Sequence, residues 1–438
     1  MRTPKAFPAA VSMPAILFLL CAFFTWATWT EGAPSGREGG IAVAQEMLRR
    51  DRLPPRILVV GGDDANGRAF VEAACEALAT RTEVLRALGT PQQVRSRVDQ
   101  VTADLKTPLV VVATPEASAW TLWSSLRASA PDLASLEVLG PSARGRSAFL
   151  SPTNLRNVAD QIAVIAIIAV GMTMVIITGG IDLSVGSLVA LSAVATAWLI
   201  RSMGGASASI GALVAACAGA VALSGLIGVF SGAVITAFRI PPFIATLAMM
   251  QVAAGLAFIL ARGQTIYDVP VAFTSLGRGE AIASLPNAVA LMLFIYSCAH
   301  VMMVRTATGR RIYAVGGNAE AARLSGVSIA RTLLFVYAVS GLMAGVGGVI
   351  TASQLKAGSP TYGLMYELYV IAAVVVGGTS LSGGEGRIFG TLVGAFIIAV
   401  IRNGMNLMNV EAYTQKGVLG LVILGAVLVD RLRRRRSA

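Results

Sequence analysis

The chain has 438 residues, of which 55% are hydrophobic and 13% are charged, and its net charge is +12. Soluble globular proteins contain roughly 25% charged residues, so this composition excludes an ordinary soluble domain, a disordered chain and a coiled coil. The mean hydropathy of +0.72 predicts many membrane-spanning segments, since each needs roughly 20 apolar residues. Four scattered cysteines and one histidine (His300) in an apolar run favour packing over disulfides, metal binding or catalysis.

Ten apolar segments predict an all-α polytopic membrane protein with about ten transmembrane helices. In chain order they lie at about 8–29, 161–178, 185–200, 210–230, 243–261, 286–304, 332–352, 367–378, 388–401 and 417–429. Several are short and interrupted by glycine, which is typical of broken or re-entrant helices buried among others.

These segments predict four parts. They are a first transmembrane helix that acts as an anchor (1–30), an extracytoplasmic insert (31–148), a larger transmembrane domain (149–430) and a basic cytoplasmic tail (431–438). A cleaved signal peptide is the alternative for the first segment, but no clear A-x-A site follows it.

The excess positive charge lies in the apolar part of the chain. Residues 31–160 carry 15 basic and 15 acidic side chains, so that polar block is neutral. Excess Lys and Arg in the loops between spans usually sets the orientation of a membrane protein and does not by itself indicate a nucleic-acid partner. We therefore expect no nucleic-acid binding. Ten spans place 14 basic residues inside and 6 in outside loops, which predicts an inner (plasma) membrane protein with both termini cytoplasmic. The arginine tail is expected to contact anionic membrane lipid.

The polar block predicts a small α/β unit outside the membrane. Strands are expected at 57–60, 83–88 and 109–113, and helices at 65–80, 91–105 and 115–126, with Trp120 and Trp123 on one helix face. Alternating strands and helices are typical of a parallel sheet. The order of elements resembles one lobe of a periplasmic sugar-binding protein, and a structural or docking insert is the alternative. No G-x-G-x-x-G turn indicates a dinucleotide site.

The sequence TGGIDLSVGS at 178–187 lies between two apolar runs. Gly179 and Gly180 predict a helix break, after which Asp182 or Ser184 can cap the next helix by accepting hydrogen bonds from its free backbone N–H groups. An acid inside an apolar region is costly and indicates a functional site. Asp182 and Ser184 are therefore candidates for a substrate pathway, and a purely structural cap is the alternative.

A second motif, NAEAARLSG at 318–326, lies in the most basic predicted cytoplasmic loop. A short helix that ends at a glycine can project from the membrane face and dock in a groove of another protein. The motif resembles the coupling loop through which importer permeases engage their ATPase subunits. The residues that this resemblance assigns to coupling are Asn318, Glu320, Ala321, Ala322 and Gly326.

The third motif, GGTSLSGGEGR at 377–387, contains five glycines and cannot form a regular helix without cost. It predicts an unwound re-entrant turn whose break glycines are Gly377, Gly378, Gly383 and Gly384. Part of it resembles the signature sequence of ABC ATPases. No lysine of this chain lies in a G-x-x-x-x-G-K-[ST] phosphate loop, so we expect ATP hydrolysis in a partner subunit and not in this chain.

Further pathway candidates are polar or aromatic side chains near breaks or span ends. They are Phe243, Thr246, Glu367 and Asn406. The scarcity of intramembrane acids suits a neutral substrate. No cofactor or metal site is expected, because no ligand spacing appears.

Five stretches in chain order resemble the permease subunit of ribose, xylose and galactose ABC importers, a branched family of binding-protein-dependent permeases. They are FLSPTNLRNV, GMTMVIITGGIDLSVGS, RIPPFIATLAMM, GRRIYAVGGNAEAARLSGV and ELYVIAAVVVGGTSLSGGEGRIFGTLVGA. The resemblance covers about 149–429 and departs from the family at Ala254, where an arginine is usual, and at Tyr369, where an acid is usual.

The resemblance implies ten helices per subunit and carbohydrate import by alternating access. The implied substrate is a monosaccharide or a similar small polyol. The implied partners are a cytoplasmic ABC ATPase subunit, a second permease subunit in a homo- or heterodimer, and a periplasmic sugar-binding protein.

Two other functions remain open from the residues alone. An ion-coupled secondary transporter usually places several carboxylates in the membrane, where this chain offers mainly Asp182 and Glu367. A membrane sensor would use the outer unit as a ligand-binding lobe. An enzyme is disfavoured, because no pair of nucleophile and base appears in the sequence.

Overall fold

The computed structural model describes residues 9–50, 52–102, 109–129, 133–134, 136–282 and 285–437. Parts of three predicted segments lie outside the described residues, namely position 8 of the first span, 103–105 of an insert helix and position 438 of the tail. Backbone contacts divide the chain into two compact units. One unit combines Met1–Thr28 with Phe149–Ala438, and the other is Trp29–Ala148.

The first described element is an apolar helix, and a small α/β unit follows it in the chain. The helix is α1 (Ala9–Ala27). The elements of the α/β unit are β1 (Trp29–Gly32), α2 (Gly36–Leu48), β2 (Arg56–Gly61), α3 (Ala65–Leu78), β3 (Glu83–Leu88), α4 (Pro91–Thr102), β4 (Val110–Ala113), α5 (Pro115–Ser118), α6 (Leu122–Ser129), β5 (Glu137–Leu139) and β6 (Arg144–Ser147).

The α/β unit contains a four-stranded sheet in the order β3-β2-β4-β5, and all its pairs are parallel. Helices cover both faces, because alternate residues of β2 point to opposite sides: Leu58 packs with α4 and α6, and Val59 packs with α2 and α3. The predicted small parallel sheet is confirmed. A separate antiparallel pair joins β1 to β6, next to the two chain positions that connect this unit to the helical one.

The expected single helix at 115–126 is wrong, because two short helices occupy this stretch. The Trp123 indole N–H donates to the Ala117 carbonyl (2.6 Å). The Ala119 N–H donates to the Glu116 and Ala117 carbonyls, three and two residues earlier, and so does not continue the α-helical pattern. These bonds end α5 before Thr121. Trp120 and Trp123 still lie on one side, with ring planes only 12° apart.

The second part of the helical unit follows the α/β unit. Its helices are α7 (Pro152–Ile177), α8 (Val185–Ser202), α9 (Ile210–Phe238), α10 (Pro242–Ala261), α11 (Val271–Arg278), α12 (Asn287–Arg305), α13 (Ala307–Gly317), α14 (Ala319–Leu324), α15 (Ile329–Leu355), α16 (Tyr366–Val376), α17 (Ile388–Leu407) and α18 (Ala412–Ser437). A short hairpin, β7 (Glu280–Ile282) and β8 (Leu285–Pro286), lies between α11 and α12.

Seven helices among the described residues are long and apolar enough to cross a membrane, namely α7, α8, α9, α10, α12, α15 and α17. Shorter apolar helices occur at Met13–Ala27 and Tyr366–Val376. The chain is therefore a multi-pass membrane protein, whereas the expected number of ten transmembrane helices stays a prediction.

Helix α15 is the centre of the bundle and packs against α7, α8, α9 and α11. Glycines allow its close contact with α9, because a Cβ atom on Gly228 would overlap the Tyr337 carbonyl and one on Gly341 would overlap the Ser224 carbonyl. Small residues at such contacts are the usual basis of helix association in membranes. Helix α1 packs on α17 in a similar way, with the Phe24 ring against Gly404.

The loops of the bundle gather at two ends. One end holds the predicted coupling motif (318–326), which follows α13 directly, and we call it the coupling end. There the Tyr313 hydroxyl of α13 donates to the Gly386 carbonyl (2.8 Å). At the opposite end, Ile266 pairs with Gly358, and Arg278 donates to the Gln354 carbonyl. Segments that the sequence predicts to share a membrane side therefore lie together, while the side that each end faces stays a prediction.

Candidate functional site

The break after α7 is closed by a fully enclosed acid. Asp182 is 1% exposed. One of its carboxyl oxygens accepts from the Ser184 N–H (3.0 Å) and hydroxyl (2.6 Å), and the other accepts from the Ser340 hydroxyl on α15 (2.7 Å). Asp182 therefore ties the break to a helix that lies far away in sequence.

The expected side-chain cap of α8 is wrong. Ser184 occupies the N-cap position, but its side chain accepts no hydrogen bond from the first turn of α8, and its hydroxyl donates to Asp182. Asp182 binds the N–H of the N-cap residue itself and so closes a local turn ahead of the helix.

Thr246 holds the same break from the other side. Its hydroxyl accepts from the Leu183 N–H (3.2 Å) and lies 3.1 Å from the Ile181 carbonyl. Thr246 is buried, whereas Phe243, one turn earlier on α10, is exposed. The structure therefore brings Thr246 together with the Asp182 segment, and Phe243 contributes only its backbone carbonyl, 3.4 Å from the Thr246 hydroxyl.

One buried hydroxyl beside the break has no hydrogen-bond partner among the described residues. It belongs to Tyr337 on α15, and a Cβ atom on Gly180 would lie 2.5 Å from it. Gly180 is thus required by this close approach, whereas Gly179 is required by its positive φ of 82°. Sequence reasoning missed Tyr337 and Ser340, although polar side chains in an apolar span are a usable signal.

A re-entrant segment leads from α15 back into the bundle. Gly358 lies against Ala193 and Ala197 of α8, and Gly363 lies against the first turn of α8 at Gly186. The segment thus descends alongside α8 by about 10 Å, at 1.5 Å per helical residue. Helix α16 starts at that depth and has only 11 residues, so it spans about 16 Å of a hydrocarbon core that is roughly 30 Å thick.

The first turns of α8 and α16 border one cavity of 250 Å³. Its polar lining side chains are Ser187, Gln251, Thr361, Tyr362 and Glu367. Glu367 lies in the first turn of α16, where the helix dipole favours a negative charge. No Lys or Arg lines this cavity among the described residues, and Ala254 occupies the α10 wall. The cavity therefore offers hydrogen-bonding groups and an acid, but no cation.

Asn406 does not join this cavity. It lies near the C-terminal end of α17, where its side-chain oxygen accepts from Gln415 (2.8 Å). On the same helix, the Arg402 guanidinium stacks on Tyr369, 4.6 Å from the ring centre. The candidate pathway residues are therefore divided between the break (Asp182, Ser184, Thr246), the cavity (Glu367) and more exposed positions (Phe243, Asn406).

The break glycines of the third motif pack against the end of α7. The Gly384 N–H donates to the Ile177 carbonyl (2.8 Å). A Cβ atom on Gly316, near the end of α13, would overlap that same carbonyl, and one on Gly383 would lie 2.9 Å from the Gly316 carbonyl. We call this meeting of three backbone segments (Gly179, Gly316, Gly383 and Gly384 around Ile177) the glycine junction.

Gly377 and Gly378 lie at the other side of the same loop. Gly377 follows α16 and is required by close approach, since its Cβ atom would overlap the Gly390 carbonyl of α17. Gly378 has a φ of 90°. Both glycines therefore allow the chain to leave α16 and return to α17 within a short turn.

The coupling motif forms a separate helix that projects from the bundle. The Asn318 side chain caps α14 by accepting from the Ala321 N–H (2.9 Å), and Gly326 ends the turn with a φ of 82°. Ala322 is buried, while Leu324 is 75% exposed. The Arg323 guanidinium donates to Glu320 and lowers the pKa of that carboxyl group.

The first residue after α13 is Asn318, so the glycine junction and α14 are adjacent in the chain. Gly316, which contacts the ends of α7 and of the third motif, is therefore only three residues ahead of α14. Among the described residues, no group of three His, Cys, Asp or Glu side chains is placed to hold a metal ion.

Residues 154–427 match the family described as "Branched-chain amino acid transport system / permease component". The chain belongs to this permease family. Among similar proteins, the ribose import permease protein RbsC of Escherichia coli (strain K12) is 42% identical over 293 residues, which cover 65% of this permease and 88% of RbsC.

Two further relatives of this permease come from the same organism. The D-allose transport system permease protein AlsC is 34% identical over 284 residues (65% of this chain, 85% of AlsC). The xylose transport system permease protein XylH is 34% identical over 354 residues (66% and 88%). The resemblance to sugar ABC importer permeases is thus confirmed. No solved structure matches the chain.

Proposed function

We propose that this permease is the membrane subunit of an ABC importer for a monosaccharide or a similar small polyol. Its relatives carry ribose, allose and xylose in their names, whereas the family description names branched-chain amino acids. The cavity between α8 and α16 favours the sugar. The carboxylate of an amino acid would find no cation in the described lining, only backbone N–H groups at the two helix ends, and the Glu367 carboxylate would repel it.

The chemistry of the cavity suits a molecule covered with hydroxyl groups. The Glu367 carboxylate accepts hydrogen bonds, the Gln251 amide donates and accepts them, and Ser187, Thr361 and Tyr362 add hydroxyls. A volume of 250 Å³ equals that of roughly eight water molecules, which suits one sugar ring better than a longer saccharide. This cavity is the observation that carries the proposal.

A second permease subunit completes the pathway in this proposal. Gln251 is exposed in the middle of α10, a helix apolar enough to cross the membrane. Lipid tails cannot satisfy its amide. A partner subunit that covers this face would supply hydrogen bonds and keep the cavity away from lipid.

In this proposal the coupling end and both chain termini face the cytoplasm. A separate ATPase subunit binds α14 at Leu324, an exposed residue of that helix, and this subunit hydrolyses ATP. The conformational change of the ATPase then displaces α14, and this displacement reaches the glycine junction through Gly316. A periplasmic binding protein delivers the sugar at the opposite end.

Transport by the reconstituted complex tests this function. With the partner ATPase present, we expect ATP-dependent uptake of at least one of radiolabelled ribose, allose or xylose and no uptake of leucine. Uptake that persists without the ATPase and collapses with an uncoupler would instead indicate an ion-coupled transporter. Ligand binding without any uptake would indicate a sensor.

A matched pair of variants tests the coupling role of α14. Leu324→Arg places a strongly hydrated charge at the proposed dock, and we expect the ATPase to be lost from the purified complex. Leu88→Arg makes the same change at an exposed leucine of the α/β unit and should retain the ATPase. Retention of the ATPase by both variants would contradict the dock.

A further inference from the structure

A second cavity lies at the coupling end, beside α14 and apart from the glycine junction. Its volume is 280 Å³, and it is lined by Thr308 and Arg311 of α13, by Ser328 at the N-cap of α15, and by Arg331, Thr332 and Phe335 of α15. We call it the arginine cavity. It shares no residue with the pathway described above and only Gly326 with the coupling motif.

The arginine cavity combines two cations with several hydroxyls. The described residues give neither Arg311 nor Arg331 an acidic partner, and the acid of the neighbouring helix, Glu320, is already bonded to Arg323. The Thr332 hydroxyl donates its only proton to the Ser328 carbonyl (2.9 Å), so the hydroxyl donors left for a ligand are those of Thr308 and Ser328. Guanidinium and hydroxyl groups around one space are the donors that bind an anionic phosphate group.

The apolar wall of the cavity, formed by Phe335, indicates which kind of molecule carries the phosphate group. Phe335 lies on the same face of α15 as Arg331, one turn further into a helix that is apolar enough to cross the membrane. It is about 6 Å deeper along the helix axis and is 38% exposed. With α15 spanning the membrane, the ring would lie nearer the lipid chains and the cations nearer the membrane surface.

We propose that the arginine cavity binds the phosphodiester headgroup of an anionic membrane lipid. The two guanidinium groups hold the phosphate, and the glycerol backbone and first chain carbons pack on Phe335. Basic pockets between helices at the cytoplasmic face are suited to such headgroups. Because Gly326, the end of the coupling motif, also lines the cavity, a bound lipid restrains the base of α14.

Lipid binding to the purified full-length chain tests the proposal. Native mass spectrometry is carried out with anionic phosphatidylglycerol and, as a control, with zwitterionic phosphatidylcholine. We expect the chain to retain phosphatidylglycerol and not phosphatidylcholine. Arg311→Gln combined with Arg331→Gln should weaken that binding by about 30-fold, which corresponds to about 1 kcal/mol for each of two cations. The matched control, Arg305→Gln with Arg310→Gln, removes the same charge from the same loop outside the cavity and should have little effect.

Each other outcome overturns the proposal. Equal weakening by both double variants would show general surface charge and no site. Displacement of phosphatidylglycerol by millimolar inorganic phosphate would show that the cavity takes free phosphate. Loss of the copurifying ATPase in the Arg311 and Arg331 variant, with lipid binding unchanged, would assign the cavity to an acidic surface of the ATPase.

Discussion

Asp182 and Glu367 are both acids beside the first turn of a helix inside the bundle, yet their neighbours differ. Asp182 is enclosed and accepts three hydrogen bonds from Ser184 and Ser340. Glu367 is partly exposed, borders a cavity, and has no ion pair among the described residues. Hydrogen bonds from the protein satisfy the first acid, whereas the second is available to something that enters the cavity.

This difference separates two reasons for placing an acid in a membrane. A polar group that the protein satisfies fully contributes to the fold, because it joins segments that would otherwise be free to move. A polar group that faces a cavity contributes little to the fold and is retained for a ligand. Variants at the two positions should therefore change different measurements.

The largest effect is expected for Asp182→Ala. This change leaves the Ser340 hydroxyl and both Ser184 donors without their acceptor in a buried place, which should lower the free energy of unfolding by at least about 3 kcal/mol. Thermal unfolding of the detergent-solubilised protein measures it. Asp182→Asn keeps one acceptor oxygen and should lose less. Wild-type stability of the alanine variant would contradict the proposed role in the fold.

Glu367→Gln should change transport and leave stability unaltered. An amide keeps the shape of the side chain but removes the charge that strengthens hydrogen bonds to sugar hydroxyls, so we expect the KM of uptake to rise about tenfold. Uptake kinetics in proteoliposomes and a parallel thermal melt measure both. A lowered melting temperature together with an unchanged KM would reverse the comparison between the two acids.

A smaller effect separates the two serines that lie near these acids. Ser340→Ala removes one of three hydrogen bonds to Asp182 and should cost about 1 kcal/mol of unfolding free energy. Ser187→Ala removes a hydroxyl of the cavity wall that makes no hydrogen bond within the described residues, and it should leave that free energy unchanged. Similar unfolding curves for both variants would show that Asp182 does not depend on its bond to α15.

The smallest effect on the free energy of unfolding is expected for a solvent-exposed acid. In the α/β unit, Glu137 forms a bidentate pair with Arg50 (2.7 and 2.8 Å), which lowers the pKa of that carboxyl group. The stabilisation is therefore present above the unfolded pKa of about 4.3 and is lost as the pH falls through the lower folded value. Since both side chains are more than a third exposed, we expect at most about 1 kcal/mol.

A double-mutant cycle measures this pair. The single variants Arg50→Gln and Glu137→Gln and their combination should give a coupling energy at neutral pH that disappears in acid. A coupling energy that grows as the pH falls would contradict the assigned direction of the pKa shift.

Much of the bundle could be predicted because apolar length and glycine position carry the signal. The expected span at 243–261 corresponds to Pro242–Ala261, and the one at 367–378 corresponds to Tyr366–Val376. Helix α2 was missed, because Gly39 and Gly40 reduce helix propensity. The structure explains these glycines by close contact, since a Cβ atom on Gly40 would overlap the Phe70 carbonyl of α3.

The site was harder to predict than the spans. Local sequence indicated the glycine breaks and Asp182, but the partner of Asp182 lies 158 residues away on α15, and no pattern within α15 marks which serine meets it. Gln251 and Tyr362 were missed for the same reason, because the cavity exists only once α8, α10 and the segment before α16 are packed together.

The glycine junction has a mechanical consequence. At Ile177, backbone touches backbone from α13 and from the third motif, with no side chain between them. A side chain can rotate to another rotamer and absorb a small shift, but a bare peptide cannot. A push on α13 therefore meets the backbone of α7 directly, and, as at the glycine contacts between α9 and α15, no side chain is present that could rotate to absorb the shift.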